Sequence, residues 1–316
     1  MRVLAPLAIA FGWLVLQPEP LFAWGPGAHI AIGEGVLASI YLLPPAIQAI
    51  IGSHPLHFLY GSIAADISFA KKYVPEGRHC HHWHIGEEIL ATADSDRLSA
   101  VGYGYLAHLA ADTVAHNVFV PRQLLVTSTT KAIGHTYWEH RMDMHVGEEY
   151  LTKARHLVME NDHSKADDLF DRVLSETIFS FPTNQKIFRG MIQFGDNDRW
   201  KQIFERVLKN SRFDLPSAAV TTYHALSFEY VMDYLISREK SRPAHLDPIG
   251  ELNLKLAKKV RRLMMAQGGA VDPAHLEESA DAFFPIPNEP LIHWPRRDAA
   301  PGLRNRVGPE SASTVP

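Results

Sequence analysis

Three ionisable side chains recur at four-residue spacing in an otherwise apolar stretch, Tyr105-Leu-Ala-His108-Leu-Ala-Ala-Asp112-Thr-Val-Ala-His116. On an α-helix, positions i, i+4 and i+8 form one stripe, so His108, Asp112 and His116 share a face. Two imidazoles and a carboxylate among Leu106, Ala107, Leu109, Ala110, Ala111 and Val114 are costly to bury unless they pair or bind a metal. A hydrogen-bonded polar cluster and a metal-binding face both satisfy that demand. The segment Gly134-His135-Thr-Tyr-Trp-Glu139 offers a second imidazole and carboxylate at i and i+4. Alone it is ordinary helix-surface spacing; it gains meaning by following the first motif at once.

Other donors lie upstream. Ile63-Ala-Ala-Asp66-Ile67 sets one acid in an apolar context, at an expected helix end. His79-Cys80-His81-His82-Trp83-His84 is a dense cluster in or near a loop, and any of His79, His81 and His82 is a candidate ligand. In Trp24-Gly-Pro-Gly-Ala-His29, cleavage after Ala23 would free the Trp24 α-amine, with an unperturbed pKa of about 7.7–8.0. Amine and carbonyl of one residue can chelate a metal, and His29 adds an imidazole. Histidine nitrogens with carboxylate oxygens, and no cysteine pair, form a zinc-type catalytic ligand set rather than a structural one.

The elements that must position these donors read as helices. Apolar periodicity predicts helices over Ala28–Leu42, Ala46–Ile51, Leu56–Ile67, Ser95–Asn117, Lys131–His156, Asp167–Ile178, Asn197–Lys209, Ala218–Arg238 and Ile249–Gln267, with Asp94 or Ser95 as N-cap of the long one. Strict apolar/polar alternation is hard to find, so strands are not indicated. The expectation is an all-α protein: one multi-helix domain over 24–240, a helical extension over 241–284, and a proline-rich disordered tail over 285–316.

Composition narrows the class. Of 316 residues, 46% are hydrophobic and 21% charged, which excludes a disordered, collagen-like or polytopic membrane chain. The net charge of -4 leaves no basic field for nucleic acid. A single cysteine, Cys80, excludes an intrachain disulfide framework. Residues 1–23 carry a short apolar run, Val3 to Leu16, then Gln-Pro-Glu-Pro and a small residue at Ala23. That pattern predicts a signal peptide and a secreted or periplasmic protein, with an uncleaved membrane anchor as the alternative.

Taken in order, Trp-x4-His, Ala-Ala-Asp, His-aromatic, His-x3-Asp, His and His-x3-Glu resemble the trinuclear zinc phosphodiesterases, the superfamily of zinc-dependent phospholipase C enzymes and single-strand-specific nucleases. The resemblance spans roughly Trp24 to Glu139. It implies a fold of the zinc-dependent phospholipase C type and up to three Zn²⁺ ions. Asp66, one histidine of the cluster, His108 and Asp112 would hold the first. His116, His135 and Glu139 would hold the second, and Trp24, His29 and a bridging Asp112 the third. The family histidine precedes an aromatic residue, which favours His82, before Trp83, over His81 and His79.

The chain also departs from the pattern. His116 follows Asp112 more closely than the family spacing, Ile67 stands where the choline-phospholipid enzymes carry a tyrosine, and the nucleases' disulfides are excluded. Glu139, an aspartate in the nucleases, favours the phospholipase side. Three Zn²⁺ against Asp66, Asp112 and Glu139 leave a pocket of about +3, suited to a phosphodiester anion. The resemblance implies cleavage of a phospholipid by metal-assisted hydrolysis, with Asp66 orienting or deprotonating the attacking water; peripheral membrane contact is left open, and the acidic net charge argues against a nucleic-acid partner. Two readings stand beside it. A nuclease would need an aromatic slot, for which Tyr103, Tyr105 and Trp83 are the candidates. A non-catalytic zinc-binding protein is expected if His108, Asp112 or His135 points away from the common pocket.

Overall fold

A computed structural model describes residues 24–69, 71–127, 132–195, 202, 211, 213–266 and 272–287. Its described secondary structure is helical throughout. The expected signal peptide, the terminal tail from residue 288 and nearly all of the helix expected over Asn197–Lys209 lie outside these residues.

The chain opens with α1 (Pro26–Ala38), α2 (Pro45–Ser53) and α3 (Pro55–Ala64). Each begins on a proline, whose fixed φ suits the first helical turn and whose missing N–H costs nothing there. A short 3-10 turn, Ala65–Ile67, extends α3 and carries Asp66. After a loop come α4 (Trp83–Thr92) and α5 (Asp96–Val114), the latter capped by Ser95, whose Oγ accepts the Leu98 N–H. Helix α5 is the centre of the molecule: nearly every side chain from Ala100 to Val114 is buried.

The closest crossing is that of α3 and α5, and two glycines permit it. A Cβ on Gly104 would lie 2.0 Å from the Phe58 carbonyl oxygen, and one on Gly61 would lie 2.1 Å from that of Val101. With no side chain at either point the backbones approach, and the end of α3 brings Asp66 beside the second half of α5.

Beyond Val114 the helix widens into one π turn, Ala115–Phe119, closed by the Val120 N–H to the Ala115 carbonyl, and continues as α6 (Val120–Val126). Then follow α7 (Ala132–Val146), α8 (Glu148–Glu160), α9 (Ser164–Val173) and α10 (Phe181–Gly195). The single helix expected over Lys131–His156 is therefore two. Gly147 breaks it with φ +128°, a backbone state that side-chain-bearing residues rarely adopt.

Helix α11 (Ser217–Ser237) packs on α5 and α1. The last two helices, α12 (Glu251–Ala266) and α13 (Pro273–Phe283), pack on α6. Arginines fix them there. Arg261 donates to the Leu125 carbonyl, and Arg122 donates to those of Ala280 and Phe284 while pairing with Asp281. Leu254, Ala257, Ala280 and Phe284 join the same buried apolar cluster as α5.

Candidate metal centre

Five of the proposed donors meet at the C-terminal half of α5. His81 Nε2 lies 3.1 Å from Asp112 Oδ2, 3.1 Å from His108 Nε2 and 3.4 Å from Asp66 Oδ1. His108 Nε2 lies 3.2 Å from Asp112 Oδ2. On the other side of the same carboxylate, His29 Nε2 lies 3.3 Å from Asp112 Oδ1. The rings of His29 and His108 stack with centroids 3.9 Å apart. All five side chains are buried.

These separations test whether zinc fits. Zn–N and Zn–O bonds of about 2.0–2.1 Å give a tetrahedral edge of about 3.3–3.4 Å. The measured donor separations of 3.1–3.4 Å match that edge. Proton placement agrees. His108 Nδ1–H donates to the Ser62 carbonyl at 2.9 Å, which in the neutral ring leaves Nε2 as a lone pair aimed at the cluster. Both Asp112 oxygens and His29 Nε2 are buried without a hydrogen bond. Bound cations would satisfy these atoms.

The electrostatics also call for positive charge. Burial and the Lys71 ammonium oppose a charged His81 ring, yet Cys80, Asp112 and Asp66 together raise its pKa well above the usual value. For Asp112, burial acts upwards, but the adjoining imidazoles, His108 first and then His29 and His81, hold the carboxyl well below the ordinary range. Asp66 is likewise lowered against its burial, chiefly by Lys71.

The remaining donors are placed as follows. Trp24 is buried beside α5, its Nε1–H donating to the Ala111 carbonyl at 3.0 Å and its ring stacked on Phe119. His116 sits on the π turn, where its Nδ1–H donates to the Pro248 carbonyl at 2.6 Å, leaving Nε2 as its second ring nitrogen. Glu139, on α7, is buried; burial, then Asp66 and Asp112, push its carboxyl well above the usual value. His135 is on the same helix, and its side chain is outside the described residues.

The cluster takes His81 and not the expected His82. His82 has extended backbone (φ -80°, ψ 142°) just ahead of α4, and neighbouring residues on such backbone face opposite ways. The His82 ring turns to His84, with centroids 5.4 Å apart. His79 sits behind His81, its Nδ1 accepting the His81 N–H. Cys80 is buried rather than exposed, with Sγ 3.2 Å from His81 Nδ1.

Two contributors were absent from the sequence argument. Lys71 is half-buried as a residue, its side chain is 9% exposed, and its Nζ lies 2.9 Å from Asp66 Oδ1. Its only sequence signal is its position five residues after Asp66. Asp143 accepts the N–H groups of Gly27 and Ala28 at 3.3 and 2.9 Å, capping α1 from a distance of more than 100 residues in sequence. Burial pushes its carboxyl up to about 7, against the pull of those two bonds. A Cβ on Gly25 would lie 2.0 Å from Asp143 Oδ2, so the glycine admits the cap.

Of the three aromatics considered for a nuclease slot, Tyr105 and Trp83 are engaged in packing, while Tyr103 is half-buried under the Arg238 guanidinium. Tyr105 is buried and donates to the Cys80 carbonyl at 2.7 Å. Trp83 stacks on Tyr234, with centroids 4.1 Å apart, and donates to the Leu246 carbonyl.

Against known proteins, a family model described as zinc dependent phospholipase C matches residues 28–182. No curated protein and no solved structure matches the chain.

Proposed function

From the premise that this chain belongs to the zinc dependent phospholipase C family through that segment, we propose that it hydrolyses a phospholipid at the phosphodiester between glycerol and headgroup. The observation that carries the reading is the pair of donor sets on opposite oxygens of Asp112. His81, His108, Asp66 and Asp112 would hold one zinc. His29, Trp24 and Asp112 would hold another, and His116, Glu139 and His135 a third.

Bound zinc supplies Lewis acidity towards the phosphoryl oxygens and makes water a nucleophile near neutral pH. The chain supplies the rest. Asp66, held ionised by Lys71, orients the attacking water and accepts its proton. The new O–P bond forms as the bond to the glycerol oxygen breaks, and that oxygen takes up a proton, giving diacylglycerol and a phosphorylated headgroup. Lys71 adds one positive charge beside the substrate anion, while the apolar walls of α3 and α5 keep the charges in a low-dielectric setting. The buried aliphatic Ile67 next to Asp66 provides no aromatic face for a quaternary ammonium, which supports loose headgroup preference.

Export completes the reading, since cleavage after Ala23 would free the Trp24 amine; mass spectrometry of the exported protein should then find Trp24 first. None of the helices among the described residues is long and apolar enough to cross a membrane.

The test compares headgroup release from phospholipid micelles with cutting of single-stranded DNA, using one zinc-loaded preparation. Lipid turnover abolished by chelator and restored by zinc is expected. DNA cutting with no headgroup release overturns the phospholipase assignment. Asp112→Asn should lose more than one zinc equivalent after dialysis, whereas Asp162→Asn, at an exposed turn where the carboxylate accepts the Ser164 N–H, should lose none.

A further inference from the structure

Helix α12 lies beyond the segment that matches the family, and its outward face is unusual for this chain. Between Lys255 and Arg262 the sequence places Lys255, Lys258, Lys259, Arg261 and Arg262, against a single acid in the helix, Glu251. The whole chain is acidic, at -4. Leu254, Ala257 and Arg261 form the buried face, with Arg261 used up by the Leu125 carbonyl. On the opposite side, Leu252 is 81% exposed and Leu263 is 58% exposed, with Lys259 between them. Lys255, Lys259 and Arg262 are exposed beside them, and Met265 is 52% exposed at the helix end. Lys255 pairs with Glu251. Among the described residues no carboxylate pairs with Lys258, Lys259 or Arg262.

We infer that this face of α12 docks the protein on an anionic lipid surface. Cations interleaved with exposed leucines match a bilayer interface, where headgroups meet the charges and the acyl boundary takes the side chains. A nucleic-acid backbone would reward the cations but not the leucines. A second copy of the chain would set the same positive face against itself.

The helix also begins against His116, one of the proposed zinc ligands. Asn253 Nδ2 donates to Asn117 Oδ1 at 2.9 Å, and Asn117 neighbours His116 on the π turn. The Pro248 carbonyl that holds the His116 ring lies just ahead of α12. A Cβ on Gly250, which has φ +62°, would lie 2.5 Å from His116 Cβ, so the loop into α12 is pressed against that residue. Docking through α12 thus ties the lipid surface, through the start of the helix, to His116. The inference names the surface from which the proposed reaction draws its substrate, and rests on that reading for this link alone.

The test is co-sedimentation of the full-length protein with phosphatidylcholine vesicles, with and without phosphatidylglycerol. Binding is read from the pellet and headgroup release from the same tubes. Wild type should pellet with the anionic vesicles only, and should be released at about 1 M salt, where the Debye length falls to about 3 Å. Lys259→Glu with Arg262→Glu should weaken binding at least about 30-fold, from about fivefold for each of the two cations lost near the surface. Leu252→Ser with Leu263→Ser should also weaken it, while turnover of a soluble short-chain phospholipid stays at the wild-type level for both double variants. Unchanged circular dichroism and melting temperature establish that the variants fold. Equal binding to neutral and anionic vesicles, no binding, wild-type binding by both variants, or binding of DNA in place of vesicles overturns the inference. Docking without headgroup release refutes the phospholipase reading and keeps the docking surface; release without docking does the reverse.

Discussion

Replacing His81 with alanine should empty the zinc position proposed at the donor cluster, and replacing His82 should not. His81 Nε2 is one corner of a donor set in which it stands 3.1, 3.1 and 3.4 Å from His108, Asp112 and Asp66. Losing residues that merely orient a ligand costs about 10–100-fold in metal affinity. Losing the corner itself should exceed the upper end of that range, so His81→Ala is expected to weaken zinc binding by more than about 100-fold, or about 2.7 kcal/mol. That loss should also appear as a smaller zinc-dependent rise in melting temperature, because a ligand that binds only the folded state stabilises by its occupancy. The His82 ring is half-buried, turned towards His84, and forms no part of the donor set. His82→Ala should change zinc affinity less than about threefold, well under the effect of an orienting residue. The assay is zinc content after equilibration in graded chelator buffers, alongside thermal melts with and without zinc. Full zinc retention by His81→Ala, with loss in His82→Ala, would refute the donor geometry and restore the residue that the aromatic-neighbour rule favours.

Two further outcomes follow from the groups around the centre. Asp143→Ala removes the acceptor for two buried N–H groups at the start of α1, and should cost about 2–4 kcal/mol, from a lost cap together with unsatisfied buried donors. Urea unfolding measures it; Asp143→Asn, which keeps an acceptor, should lose less, and equal losses would show that the cap is not the cause. His224, half-buried on α11 with its Nε2 enclosed, has its pKa lowered to about 4, first by burial and then by His29. Between pH 6.5 and 4 the unfolded chain therefore binds a proton that the folded chain does not, so this contribution is complete above pH 6.5 and is lost as the pH falls. At about 1.4 kcal/mol per unit it reaches about 3 kcal/mol by pH 4. His224→Gln should flatten the acid limb of stability against pH, and an unchanged slope would remove His224 from the account.

Local spacing made much of this protein legible. A 3.6-residue period acting on His108 and Asp112 suffices to put them on one face, whatever surrounds the helix, and the structure keeps them 3.2 Å apart. The same period marks most helices and does not indicate strands, and the cap falls on Ser95, one of the two candidates, Asp94 and Ser95. What failed was also local in origin. The apolar pattern over Lys131–His156 runs through Gly147, but periodicity does not register that a glycine there takes φ +128° and ends α7.

The centre itself is a meeting of segments that are remote in sequence, and only the tertiary structure decided its membership. Asp66 reaches α5 because Gly61 and Gly104 let two backbones touch. His81 faces inward because of the turn ahead of α4, although His82 had the more telling neighbour. Lys71 and Asp143 carry no motif; they matter because folding buries an ammonium against Asp66 and a carboxylate against the first turn of α1. Residue spacing along one helix is set by covalent geometry and so can be read from the chain. Contacts between helices depend on which side chains are small enough to allow approach and which charges burial then forces together, and those energies exist only once the core has formed.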